Sequence, residues 1–160
     1  MESSFFAVEQ DLFVSAFAIR KLLESKKISD EVESLSLVAT IFKSTGRVVD
    51  FMSRHKIDKL YDLEHPVTAD ISVRKFCDQL IHSFVFETEL SDDGGLSGIY
   101  FSSDNLKRTE LIYVRLIEII DVIERVAEDD VVSAMWLRDP KSGESKVVRK
   151  SNRLRLTAEE

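Results

Sequence analysis

The sequence predicts a mainly α domain: four principal helices packed as a bundle, with a small β-hairpin between the third and the fourth. Three observations point that way. Apolar residues recur at three- and four-residue intervals through residues 5–26 and again through 105–128, the spacing of one helix face. Five Gly and two Pro in 160 residues leave few breakers to interrupt long helices. Asp92-Asp93-Gly94-Gly95 is a turn signal set between Phe84-Val85-Phe86 and Ile99-Tyr100-Phe101, two β-type runs.

The first helix places Phe5, Val8, Leu12, Ala16, Ile19 and Leu23 on one face, and Phe6, Phe13 and Phe17 on a second. Burial from two directions is the expectation. Lys26 and Lys27 close it with cations, which suits the negative end of the helix dipole. A second helix is expected from Asp30, where Asp30 and Glu33 resemble a capping box. Its core face would run through Val32, Leu35, Val38 or Ala39, Phe42, Val49 and Met52, with Gly46 in mid-helix.

A third helix is expected from near Asp70, burying Val73, Phe76 or Cys77, and Leu80, followed by the hairpin at about 84–101. The fourth spans about Asn105 to Glu128, with Leu106, Thr109, Ile112, Leu116, Ile119 or Ile120, Ile123 and Ala127 as its apolar stripe. Val131 to Leu137 either continues that helix or begins a strand, and Val147-Val148 suits a short return strand. Asp139-Pro140 breaks whichever forms. Residues 1–137 are thus read as a single helical domain, and 138–160 as a basic C-terminal extension whose end is disordered.

Composition narrows the function classes. A chain of this length buries roughly 70% of the surface its unfolded form exposes. No apolar run approaches a membrane span, no basic leader precedes residue 5, and the single cysteine, Cys77, excludes an internal disulfide. A cytoplasmic protein without a membrane partner is expected. Net charge is −7, and residues 138–160 hold seven Lys/Arg against four Asp/Glu, so residues 1–137 carry −10. Such a body repels nucleic acid. The extension has no aromatic residue to stack a base, so it is expected to fold back on an acidic surface, its own or a partner's. RNA stays a weaker alternative.

Candidate chemistry is sparse. His55, His65 and His82 show no metal-ligand spacing, and no phosphate loop or nucleophile motif is present, so no metal and no cofactor is implied. Arg74, Asp78 and His82 lie four residues apart and form one polar stripe on a helix. Arg74 can pair with Asp78, and Asp78 can hold the His82 ring in one tautomer. Read as chemistry, this is an acid–base pair with an arginine for a phosphate. Read as structure, it is a salt-bridged helix face. Arg20 and Glu24 form a similar pair among apolar neighbours, a supporting polar network that would pack inside near the stripe.

Cys77-Asp78-Gln79-Leu80-Ile81-His82 resembles the signature of HEPN domains, helical bundles of bacterial toxin, defence and RNA-processing systems. Active members carry an arginine, a polar residue and, a few positions on, a histidine. Asp78 and His82 match the last two, Cys77 stands at the arginine position, and Arg74 lies one turn earlier. The resemblance implies a dimeric four-helix bundle forming one metal-independent ribonuclease site, or a degenerate relative of one.

Three functions are expected. The first is a non-catalytic interaction or regulatory domain, since no complete catalytic constellation is present. The second is the HEPN-like ribonuclease, with His82 as acid–base and Arg74 as phosphate ligand. The third is a small-ligand binder whose cavity lies between the first helix and the hairpin, lined by Phe and Tyr. A homodimer is expected through the phenylalanine-rich helix or the open hairpin edge, with another protein as a further partner.

Overall fold

The computed structural model describes residues 2–153, with side chains from Phe6 onward. In chain order the elements are α1 (Glu2–Glu24), α2 (Asp30–Glu33), β1 (Ser36–Lys43), α3 (Ile57–Leu60), β2 (Val67–Ser72), α4 (Val73–Ile81), β3 (Ser83–Leu90), β4 (Leu96–Ser103), β5 (Glu110–Arg115), α5 (Leu116–Ala127), β6 (Ser133–Arg138) and β7 (Ser145–Ser151). Five strands form an antiparallel sheet in the order β2-β1-β5-β4-β3, and β6 pairs with β7 in a separate ribbon. The fold is α+β. The four-helix bundle is overturned, and with it the helical architecture that the HEPN resemblance implies.

Two of the four expected helices give way to strands, and the third is present but starts later than expected. The second stops after one turn at Glu33, and Leu37-Val38-Ala39-Thr40-Ile41-Phe42 becomes β1. Leu37 and Ala39 face one core, while Phe42 faces another. A strand buried on both faces reads as a continuous apolar run, which periodicity does not separate from a helix. Gly46, expected in mid-helix, sits in the following turn at φ +84°. The third helix begins at Val73, capped by the Ser72 hydroxyl, which accepts from the Lys75 amide at 3.1 Å. Residues 67–72 before it are strand. The fourth is split between β5, built on Leu111-Ile112-Tyr113-Val114, and α5. The hairpin is present as β3 and β4, with Gly94 at φ +82° in its turn.

The helices α1, α4 and α5 cover one face of the sheet. Leu12, Ala16, Ile19 and Leu23 of α1 meet Phe76, Cys77 and Leu80 of α4 above Leu37, Ile99, Phe101 and Ile112. Phe76 meets Phe101 edge-on, 5.7 Å between centroids at 82°. Each such side chain, fully buried, contributes roughly 1.5–3 kcal/mol. On the opposite face Phe42, Val85 and Leu111 are covered by Val49, Leu60 and Tyr61 from the β1–β2 connection. The Tyr61 hydroxyl donates to the Lys107 carbonyl at 2.8 Å.

Two features of this frame position the polar side chains. The edge strands are β2 and β3, and α4 joins them with no residue before it and only His82 after it. The ribbon is rooted on α2. Lys150 Nζ lies 2.5 Å from Glu33 Oε2 and 3.4 Å from Asp30 Oδ1, and the Lys150 amide donates to Asp30 at 2.9 Å. The basic extension thus folds back on the acidic body at this point. Residues 131–137, left between helix and strand by the sequence, contribute β6, which pairs with the return strand through Val147. The expected disorder beyond residue 153 lies outside the described residues.

Candidate functional site

The sequence-derived residues converge only in part. Arg20, on the flank of α1, donates from Nε to Asp78 Oδ1 of α4 in a close ion pair. Its Nη1 stands 2.7 Å from Glu24 Oε1, an ionic contact whose angle is not that of a hydrogen bond. The hydrogen bond that Arg20 donates to Asp78 raises the Arg20 pKa against the opposing effect of desolvation. The Asp78 carboxylate is therefore engaged by α1, and among the described residues no hydrogen bond joins it to the His82 ring. His82 is the C-cap of α4, its amide donating to the Asp78 carbonyl at 3.2 Å.

Arg74 does not join this group. Its Nη2 reaches 3.5 Å to Glu33 Oε1, toward α2 and the ribbon root. The geometry thus divides the stripe into an Arg20–Asp78 pair, a separate His82 and a remote Arg74. His65 Nδ1 lies 2.8 Å from Asp62 on the surface, and His55 is exposed. Among the described residues no group of three or more His, Cys, Asp or Glu is arranged to hold a metal ion.

Arg20, Glu24, Asp78 and His82 wall a cleft of about 210 Å³ whose apolar side is Phe17 and Ile81. The same two residues, with Phe13 and Val14, line an adjoining groove of about 330 Å³. The two hollows share a floor. An apolar trough runs along α1 and ends among paired charges. Of the second first-helix face that the sequence expected to be buried, Phe13 is partly buried against Phe86, but Phe6 and Phe17 are 62% and 63% exposed, and Val14 beside them is 67% exposed. The helices and sheet leave that side of α1 uncovered. No Tyr lines the groove, because Tyr100 and Tyr113 pack against the core on the far face of the sheet.

No family model, curated protein or solved structure matches the chain.

That far face holds a polar cluster that the sequence pattern did not reveal. The Tyr113 hydroxyl donates to Glu89 Oε2, the Ser97 hydroxyl to the same oxygen at 2.9 Å, and the Tyr100 hydroxyl to Oε1 at 3.0 Å. Burial works to raise the Glu89 pKa, but the three hydroxyl donors outweigh it and hold the carboxyl below its usual range. Both phenols are pushed up to about 12, by burial first and then by Glu89. A Cβ on Gly98 would fall 2.5 Å from the Tyr113 ring, so glycine opens the seat on which that ring lies. The one signal in the sequence was β alternation, Glu87 and Glu89 sharing a face. It was lost because Tyr113 was assigned to a helix. With three donors on one carboxylate, drawn from β4 and β5, the cluster acts as a latch across β3, β4 and β5.

Proposed function

We propose that this chain is a non-catalytic interaction domain that works as a homodimer through the outer face of α1. The observation that carries this reading is the exposed stripe of Phe6, Val14 and Phe17 on a helix whose opposite face is already buried in the core. Scattered apolar residues on a surface need no explanation, but a contiguous patch does, and Phe13, Val14, Phe17 and Ile81 line one groove. The stripe is self-complementary. In an antiparallel pair with its two-fold axis near the middle of the 23-residue helix, Phe6 of one copy meets Phe17 of the other, and Phe13 and Val14 lie near the axis. At 1.5 Å per residue the helix offers roughly 35 Å of contact length.

Light scattering after gel filtration tests the proposal. The wild-type chain should self-associate across the micromolar range, at least to a dimer and to a larger mass than Phe17→Glu at the same concentration. Phe17→Glu, a change at an exposed position, should keep the circular dichroism of the native fold and weaken this contact by about 100-fold or more. A wild-type mass identical to that of Phe17→Glu and Val14→Glu at every concentration would overturn it.

A further inference from the structure

The β6–β7 ribbon presents a second unpartnered surface. A two-stranded sheet is marginal on its own. Every residue of β6 is exposed, among them Met135, Trp136 and Leu137, and Val148 of β7 joins them. Lys146 and Arg149 stand directly across from Leu137 and Met135 and share their face of the ribbon. Apolar anchors ringed by cations call for a surface with the opposite charge and a matching apolar floor.

The outer face of α5 has that character. Ile117 and Ile120 are exposed, and they floor a shallow hollow of about 290 Å³ rimmed by Glu118, Asp121 and Glu124. Arg115 and Arg125 answer two of these acids, at 2.6 Å to Glu118 and 2.8 Å to Asp121. Such exposed pairs are weak and exchangeable. The ribbon of the same chain does not cover this hollow, since β6 is exposed along its whole length.

We propose that the ribbon of one copy docks on the α5 face of a second copy. Met135 and Leu137 share one ribbon face with their cross-strand partners Arg149 and Lys146, and on that face they sit against Ile117 and Ile120 while the two cations meet Glu118, Asp121 and Glu124. Reciprocal exchange closes the contact as a pair, each copy giving one ribbon and receiving one. The contact uses elements separate from α1 and does not depend on α1 pairing. Charge complementarity selects the occupant: the acidic body of this chain attracts the ribbon, and it repels the nucleic acid that a basic strand pair with a tryptophan would otherwise suit.

The experiment uses the full chain carrying Phe17→Glu, so that any α1 pairing is removed, with Val14→Glu as a second background. Exchanging Trp136→Phe and Leu137→Trp in that background places the sole tryptophan on the docking face, where it reports on the contact directly. The expected result is a dimer by light scattering that grows with concentration, a blue shift of tryptophan emission on assembly, and loss of both at high salt. Arg149→Glu and Glu124→Lys should each weaken assembly about 10-fold or more, and the two together should recover most of it. A monomer with unshifted emission throughout the micromolar range would overturn the proposal. So would charge reversals that leave the dimer unchanged. Emission that responds to an added single-stranded oligonucleotide but not to protein concentration would overturn it in favour of a nucleic-acid surface.

Discussion

Lys150 Nζ stands 2.5 Å from Glu33 Oε2 across 117 residues of sequence, and the lysine side chain is only 4% exposed. Removing one partner of such a pair leaves the other without its charge complement, which costs more than the pair contributes. Lys150→Ala should therefore destabilise the chain by about 1–3 kcal/mol in urea unfolding. Hydrogen exchange in β6 and β7 should rise more than in the five-stranded sheet. Equal protection of the ribbon in variant and wild type would show that the lysine does not anchor it.

The Glu89 latch predicts an acid-sensitive sheet. Its folded carboxyl titrates below the usual value of 4.5, so the stability it adds is present above that pH and is lost as pH falls through the folded pKa. The two phenols act at the other end. Raised to about 12, they add stability that is complete below the usual 10 and disappears as pH climbs through 12. Unfolding measured from pH 3 to 7 should show a steeper acid loss in wild type than in Glu89→Gln. Matching slopes would rule the latch out as a source of acid sensitivity.

Gly98→Ala should cost about 1–3 kcal/mol, because the new methyl enters the Tyr113 ring. The same change in a Tyr113→Ala background should cost far less. The double-mutant cycle reads that coupling directly, and additive effects would mean the ring yields without penalty.

Cys77 should be chemically silent in the folded protein. Burial, and then the neighbouring Asp78, push its thiol up to about 12, and the side chain is fully enclosed. A thiol reagent should react in step with unfolding and not before. Rapid modification of the native chain would place the sulfur nearer solvent than the fold puts it.

Part of this structure was legible in sequence because some signals are local. The hairpin announced itself through Asp92-Asp93-Gly94-Gly95, and α1 through an apolar spacing that persists along the helix. The sheet did not, because β1 and β5 are interior strands that send apolar side chains to the cores on both faces. Ile112, Leu116 and Ile119 fall at helical spacing by coincidence across the β5–α5 boundary, joining two elements into one false stripe. The same error scattered the site. Asp78 was expected to pair within its own helix, yet Arg20, 58 residues away, claims it. Such pairing depends on how α1 crosses α4, which no spacing encodes. The apolar face of α1 was visible as a second stripe, but whether neighbours in the same chain cover it is a property of the assembled fold.

The short helix α4 links the two outermost strands of the sheet with almost no slack. It works as a strut: a rigid rod of nine residues ties those two edges together, in addition to the hydrogen bonds of the three strands between them. Lengthening or kinking that rod would strain both margins at once. α1 packs directly on it, so a load applied to the outer side of α1 is carried mechanically to both margins of the sheet.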